Sequence, residues 1–321
     1  MERRKFLRNS MVGALAGMGL PVIAAQGRQA ANSAPISTAL SGQVTAPGTA
    51  SAGPVKIKKS LKFGMVQEEG TILEKFKLLK ELGFDGVELD SPANLDPNEV
   101  LEAKEATGLE IPGVVNSAHW SSPLSDPDPA VRAKCVKALE QSLHDCKRYG
   151  GTTVLLVPGV VKKDVSYADA YKRSQEEIRK VLPVVHETGI KIAFENVWNN
   201  FLISPLEAAR YVDEFEDPMI GWYFDVGNIV RYGWPEHWIE VLGKRIMKLD
   251  VKEYSRKKQQ EEGIWKGFNV EFLEGDCDWP AVNEALAKIG YSGWASAEVP
   301  GGKRDRLLTI REKMDAIFPG S

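Results

Sequence analysis

Four acidic residues close short apolar runs in the second half of the chain. They are Glu195 in "IAFEN", Asp225 in "WYFDVGN", Asp250 in "MKLDVKE" and Glu298 in "ASAEV". Gathered carboxylates have two chemical uses: they hold a divalent cation, and they carry protons to and from a bound molecule. Without a cation, close carboxylates repel one another and resist ionisation. Any one of these acids alone reads as a solvated strand end or a helix cap. Their separations of 30, 25 and 48 residues, about one repeating unit each with a longer last step, argue for a common purpose.

The stretch "RIMKLDVKEY" (245–254) adds to this. Side chains alternate faces along a strand. If Met247, Leu249 and Val251 face one way, then Lys248, Asp250 and Lys252 share the other with Ile246. Three charges on one side of an otherwise apolar strand are what the lining of an ion site requires.

These residues need a frame that brings strand ends together. From Leu61 onward, apolar runs alternate with longer amphipathic ones. Strands are expected at 61–66, 85–90, 110–116, 152–158, 190–195, 219–225, 245–251 and 293–299. Helices are expected near 71–82, 97–107, 129–149, 167–188, 235–242, 279–289 and 303–317, with one more starting at Ser204-Pro205 and Asp278 capping the seventh in the chain. Eight strand–helix units within residues 60–321 predict a parallel, closed (β/α)₈ barrel. An open doubly wound sheet would carry a G-x-G-x-x-G turn after an early strand, and none is there. In a barrel the C-terminal strand ends share one mouth, so strands five to eight would deliver all four acids to it.

On "FEN" (194–196), "FDVGN" (224–228), "LDVKE" (249–253), "EGDCDWPAV" (274–282) and "SAEV" (296–299), the chain resembles the xylose isomerase-like barrels of sugar and sugar-phosphate isomerases and epimerases. Ketose 3-epimerases and hydroxypyruvate isomerase-like proteins are among them. The resemblance covers residues 60–321. It implies one divalent metal on Glu195, Asp225, Asp250 and Glu298, with Glu195 and Glu298 doubling as the acid–base pair. Two departures stand out. Members usually read Leu-His-Leu-Lys-Asp where this chain has Leu249-Asp250-Val251-Lys252-Glu253, and they often carry a His where Asn228 stands. The first change leaves an all-oxygen set that favours Mn²⁺ or Mg²⁺ over Zn²⁺ or Co²⁺. It also adds negative charge that Lys248 and Lys252 can offset.

Several further residues are substrate-binding candidates. Glu88 in "GVELD" would point inward, toward substrate hydroxyls or toward a lysine of the lining. His119 in "NSAHW" follows strand three, whereas His144, His186 and His237 fall on helices and read as surface or packing residues. Asn196 and Asn228 stand beside two ligands and would orient carboxylates or bind sugar hydroxyls. Lys252 sits on the ligand face. The segment from Tyr254 to Asp276 is long for a barrel connection and carries Arg256, Lys257, Lys258, Trp265, Lys266 and Phe268. Its aromatic residues would stack on a sugar and its basic residues would meet an anionic group; otherwise it is a solvated surface hairpin.

The bulk properties bound the function. The chain has 321 residues, a net charge of −3 and 43% apolar content, an ordinary globular profile with no basic stripe for nucleic acid. Residues 1–25 open with "MERRKFLRNS" and continue through an uncharged apolar run too short to span a membrane. They resemble a twin-arginine export signal, which implies a periplasmic protein exported already folded, with no stable membrane insertion after cleavage. Residues 26–59 read as a flexible linker poor in structure. Cys135 and Cys146 lie eleven residues apart on one helix and cannot pair; with Cys277 they are expected as buried free thiols. The expected function is metal-dependent isomerisation or epimerisation of a carbohydrate or keto-sugar through an enediolate, with a hydride shift as an open variant. A lyase or hydrolase of keto-sugar glycosides and a non-catalytic sugar-binding protein are the alternatives. Assembly into a homo-oligomer is left open.

Overall fold

Helices in this chain start where a side-chain acceptor meets a proline or a polar first turn, and three of the longer ones stop at glycine. Asp96 accepts from Asn98 N–H ahead of Pro97, and Asp128 accepts from Ala130 N–H ahead of Pro129. Gly108, Gly150 and Gly189 end their helices in the left-handed conformation. Residues 56–320 are described in the computed structural model. The elements run β1 (Ile57–Leu61), α1 (Ile72–Glu81), β2 (Leu89–Ser91), α2 (Pro97–Thr107), β3 (Gly113–Asn116), α3 (Pro129–Tyr149), β4 (Thr153–Leu156) and α4 (Tyr167–Thr188). They continue with β5 (Lys191–Glu195), α5 (Pro205–Asp213), β6 (Ile220–Asp225), α6 (Val226–Val230), α7 (Pro235–Leu242) and β7 (Ile246–Val251). Last come α8 (Arg256–Glu262), α9 (Trp279–Lys288), β8 (Gly293–Ala297) and α10 (Arg304–Ile317).

All named strand pairs are parallel, and β1 lies against β8 while β2 to β8 follow in order. The ring closes between β1 and β2: Glu88 N–H donates to Leu61 O at 2.9 Å and Phe63 N–H to Glu88 O at 2.8 Å. The fold is a (β/α)₈ barrel. Most of the apolar core lies between strands and helices, while Leu155, Ala193 and Tyr223 form a separate small cluster inside the ring.

Four expectations need correction. β1 begins at Ile57, inside the stretch read as linker, and residues 63–65 form a 3₁₀ turn rather than strand. Lysines hid this strand: Lys59 turns outward and pairs with Asp315 of α10 at 2.7 Å. Ile246 does not share the charged face of β7. The β6–β7 register slips between Trp222 and Tyr223, so Met247 packs inside the ring while Ile246 joins the outer core. The segment after Tyr254 is α8 followed by a 3₁₀ helix (Ile264–Phe268), not a hairpin. Ser204 occupies the cap position of α5 without a capping hydrogen bond. The export signal and residues 26–55 of the linker lie outside the described residues. Cys135, Cys146 and Cys277 are free and buried.

Candidate metal centre

β5 ends in Glu195, β6 in Asp225, and β7 carries Asp250 one residue before its end. Glu298 follows β8 directly and extends its ladder, its N–H donating to Val251 O at 3.0 Å. Ligand oxygens of these four acids lie within 4.8 Å of one another. Glu195, Asp225 and Asp250 are buried; Glu298 is the open side, 40% exposed.

Backbone geometry supports the convergence. Asp225 Oδ1 accepts Asn228 N–H at 2.8 Å and so caps α6, which leaves Oδ2 for the site. Asn196 locks the neighbouring strand end: its Oδ1 accepts Asp225 N–H and Trp222 Nε1–H at 3.0 Å each, and its Nδ2 donates to Asp225 O at 2.7 Å. Asn228 Nδ2 donates to Asn196 O at 2.9 Å. The two asparagine side chains thus tie the ends of β5 and β6 together through backbone groups, and only Asn228 also lines the pocket.

Lysines thread between the acids. Lys252 Nζ lies 2.8 Å from Asp225 Oδ2 and 3.5 Å from Glu298 Oε2. Lys62 Nζ lies 2.6 Å from Glu88 Oε2 and 2.8 Å from Asp250 Oδ1. Lys248 Nζ reaches Glu88 Oε1 at 3.7 Å and the Pro112 carbonyl. Gly113 makes that depth available, since a Cβ there would stand 2.6 Å from Lys248 Nζ and 2.4 Å from Thr153 O. Sequence reasoning missed Lys62. Its signal was its place one residue beyond β1, beside Glu88, a position that only the true strand boundary reveals.

The electrostatics follow from burial and from these neighbours. Burial, with Glu298 and Asp250 nearby, pushes the Glu195 carboxyl well above its usual range. Burial likewise raises Asp250 well above it, against the pull of Lys62, and raises Asp225 against Lys252. Burial acts on Glu298 too, but Lys252 and Lys62 outweigh it and hold that carboxyl below the usual range. Burial would lower Lys62, but Asp250, Glu88 and Glu298 hold it well above its ordinary value.

The residues fit a divalent cation. Neither Asp250 oxygen nor Asp225 Oδ2 accepts a hydrogen bond of normal geometry, although each is buried. Five carboxylates at this centre (Glu88, Glu195, Asp225, Asp250 and Glu298) face three ammonium groups (Lys62, Lys248 and Lys252). When all are ionised two negative charges remain, which is the charge a divalent ion brings.

Above the acids opens a cavity of about 390 Å³, walled by Glu195, Asn228, Lys252, Trp265, Phe268 and Glu298 among others. Trp265 and Phe268 of this wall come from the insertion after β7. The basic residues of that insertion do not join them. Arg256 donates to the Val230 and Gly233 carbonyls at 2.9 and 2.7 Å, and Lys258 to the Asn269 carbonyl. Glu88 lies beneath the acids rather than in the wall, both its oxygens accepting Tyr223 O–H at 2.8 Å. His119 is buried beside the wall residue Trp120; its Nδ1 accepts Val157 N–H at 3.2 Å, and burial pushes the imidazole down to about 3. It is a neutral ring with its proton on Nε2. His186 pairs with Asp217 on the helical layer at 2.8 Å.

Glu253 anchors the insertion. Its carboxylate accepts from Tyr254, Leu273 and Cys277 N–H groups and from Trp279 Nε1, at 2.9–3.2 Å. Gly275 permits that approach, for a Cβ there would stand 2.5 Å from Glu253 Oε1. Glu253→Ala leaves these donors unpaired, at about 1–3 kcal/mol each where buried. Limited proteolysis within residues 256–276 is expected to accelerate at least tenfold, with the barrel's melting temperature moving far less. Equal cleavage rates in wild type and variant would remove Glu253 from that role.

Glu88 makes a pH prediction. Burial would raise its pKa, but Lys62 and Lys248 overrule it and hold the group down at about 2. A depressed carboxylate stabilises the fold fully above its unfolded value near 4.5 and loses that contribution as pH falls toward 2. Roughly 3 kcal/mol is at stake. Urea unfolding from pH 7 to pH 3 should show a steeper acid loss in wild type than in Glu88→Gln. Parallel curves would show that Glu88 is not held ionised by the lysines.

A closed parallel barrel whose last four strands send carboxylates to one point defines a (β/α)₈ protein with a candidate metal centre at its C-terminal mouth. The chain belongs to the xylose isomerase-like TIM barrel family, which it matches over residues 76–318. It is 25% identical over 233 residues to the L-ribulose-5-phosphate 3-epimerase UlaE of Escherichia coli O1:K1 / APEC, across 69% of this chain and 79% of that one. Two solved structures share the fold. One is apo 3-keto-D-glucoside 4-epimerase, YcjR, from E. coli, with a TM-score of 0.68 and 18% identity, covering 82% of this chain and 99% of that chain. The other is the IOLI protein with a bound zinc atom, with a TM-score of 0.67 and 16% identity, covering 82% and 98%.

Proposed function

We propose that this chain is a divalent-metal-dependent isomerase or epimerase of a keto-sugar that works by proton transfer beside a carbonyl. The observation that carries this is the convergence of four acids, three of them buried, at the floor of a sugar-sized cavity. Kinship with a sugar 3-epimerase supports the reaction class. A cation on Glu195, Asp225, Asp250 and Glu298 would supply positive charge to the substrate's carbonyl and hydroxyl oxygens, with Mn²⁺ or Mg²⁺ suited to the oxygen-only set and Zn²⁺ or Co²⁺ as alternatives.

The protein's own groups do the rest. Glu195 and Glu298 stand across the pocket as two proton carriers. One takes the proton from the carbon beside the carbonyl, and the C–H electrons pass into an enediolate. The other returns a proton, to the opposite face of the same carbon for epimerisation or to the neighbouring carbon for isomerisation. Trp265 and Phe268 cover a sugar face and exclude water. Lys252 and Asn228 reach hydroxyls from the wall. The basic, apolar start of the chain fits export, which would place the reaction in the periplasm on unphosphorylated sugars.

A second reading draws on the lysines. Lys62 and Lys252 pair with Asp250 and Asp225, ammonium–carboxylate contacts that a sugar-binding protein without catalysis could use in a cation's place. One experiment separates the two. Purified full-length protein is analysed for bound metal and incubated with ketoses in deuterium oxide. A stoichiometric divalent ion and deuterium at a carbon position support the enzyme, whereas sugar binding without exchange in metal-loaded protein supports the binding module.

A further inference from the structure

We propose that a second cavity beside the reaction pocket is the subsite for the second ring of a glycoside, so that the substrate is a ring-bearing keto-glycoside rather than a free monosaccharide. This rests on the sugar reading above and adds the substrate class to it.

The second cavity is about 670 Å³ and shares Val197, Trp198 and Trp265 with the reaction pocket as a common wall. Its remaining lining differs in kind. No carboxylate enters it; Ile203, Tyr232 and Ile264 give apolar faces, and Asn200 and Arg231 give polar ends. Such a mixture suits a pyranose ring, which has an apolar face of C–H groups and a rim of hydroxyls. The reaction pocket alone is large enough for one small ligand, so a monosaccharide would leave the larger chamber unused.

Exposure points to the same place. Four of the nine large apolar side chains exposed among the described residues, Ile203, Tyr232, Ile264 and Trp265, line this one cavity. Apolar surface gathered in one region marks a site of binding. Trp265 and Tyr232 are 56% and 45% exposed there.

The chamber is also built firmly. Trp198 Nε1–H donates to Asn228 O at 2.8 Å, its ring lies 4.8 Å from Phe268 and 4.9 Å from Trp265, and the Arg231 guanidinium sits 4.7 Å over it. Along one side, Asn200 and Leu202 hold φ of 59° and 52°. A left-handed leucine costs about 1–2 kcal/mol and persists only where its surroundings fix it. Asn199 does so, donating to Gly159 O at 2.7 Å and accepting Phe201 N–H at 3.1 Å.

The test measures binding to metal-loaded full-length protein by calorimetry. Methyl β-D-glucopyranoside is compared with cellobiose, and methyl α-D-glucopyranoside with maltose. In at least one pair the disaccharide is expected to bind roughly tenfold tighter, equivalent to about 1.4 kcal/mol. Tyr232→Ala combined with Ile264→Ala, both exposed and both outside the reaction pocket, should remove that advantage and leave the methyl glycoside unchanged. Equal binding of the two members of each pair overturns the subsite while leaving the sugar reading intact, and so does an equal effect of the double variant on both. Absence of all glucoside binding likewise overturns the subsite, while the sugar reading stands or falls on the ketose exchange in deuterium oxide.

Discussion

Glu195→Gln and Glu298→Gln are each expected to lower turnover roughly 10²–10⁴-fold, the contribution of a positioned acid or base. Each removes a negative charge and a ligand oxygen while keeping the side chain's size. Cation affinity should therefore fall together with activity, measured by calorimetry on the same samples. The two variants will differ in stability. Glu195 is buried beside Glu298 and Asp250, so neutralising it relieves repulsion in the metal-free protein, which should melt higher than wild type. Glu298 is half-exposed and pairs with Lys252 at 3.5 Å, so its variant gains less or nothing. If both variants keep full exchange activity and full metal affinity, the four acids are not the reaction centre.

Lys62→Met tests the same centre from the opposite charge. Its ammonium is the shared partner of Glu88 and Asp250. Removing one member of a buried pair strands the other and costs about 3–5 kcal/mol. In a domain of this size that lowers the melting temperature by roughly 10 °C. A saturating divalent ion should recover most of the loss, because a ligand that binds only the folded state stabilises it by mass action. The metal-induced rise in melting temperature is thus expected to be larger in Lys62→Met than in wild type. Equal rises would mean that Lys62 and the cation do not compete for Asp250. Such a result would weaken the sugar-binding reading as well, since that reading needs the lysines as stand-ins.

Much of the scaffold was legible because its helices carry their own punctuation. Pro97–Thr107, Pro129–Tyr149, Tyr167–Thr188 and Pro235–Leu242 fall at their expected limits, each fixed by a cap, a proline or a terminal glycine. The four acids were legible for a different reason. A carboxylate at the end of one apolar strand is ordinary, but the same placement in four successive units marks a shared centre. What stayed hidden was hidden by lysine and by polarity. "KIKK" (56–59) reads as tether because Lys58 and Lys59 break the apolar run, although Lys59 finds Asp315 across the helical layer. Placing the first strand at 61–66 instead of Ile57–Leu61 hid the position of Lys62, the ion that ties the first strand to the site. The helix Arg256–Glu262 escaped notice because "RKKQQEE" has no apolar face to set a period. Arg256 looked like an anion hook and serves instead to fasten the insertion to the Val230 and Gly233 carbonyls. No local pattern distinguishes those two uses of a guanidinium.

The slipped register at Met247 has a bearing on how this barrel tolerates change. A strand's faces swap when its pairing moves by one residue. Deleting Met247 would restore regular pairing with β6, so that the rest of β7 could hold its present orientation while the floor of the ring lost a filling side chain. Deleting any one residue from Leu249 to Val251 has no such slack to absorb it. The charged groups upstream of the gap would be carried into the greasy layer beneath the helices, where neither a cation nor water could reach them. Length changes in this chain should therefore survive at the start of that strand and be lethal to the fold three residues later.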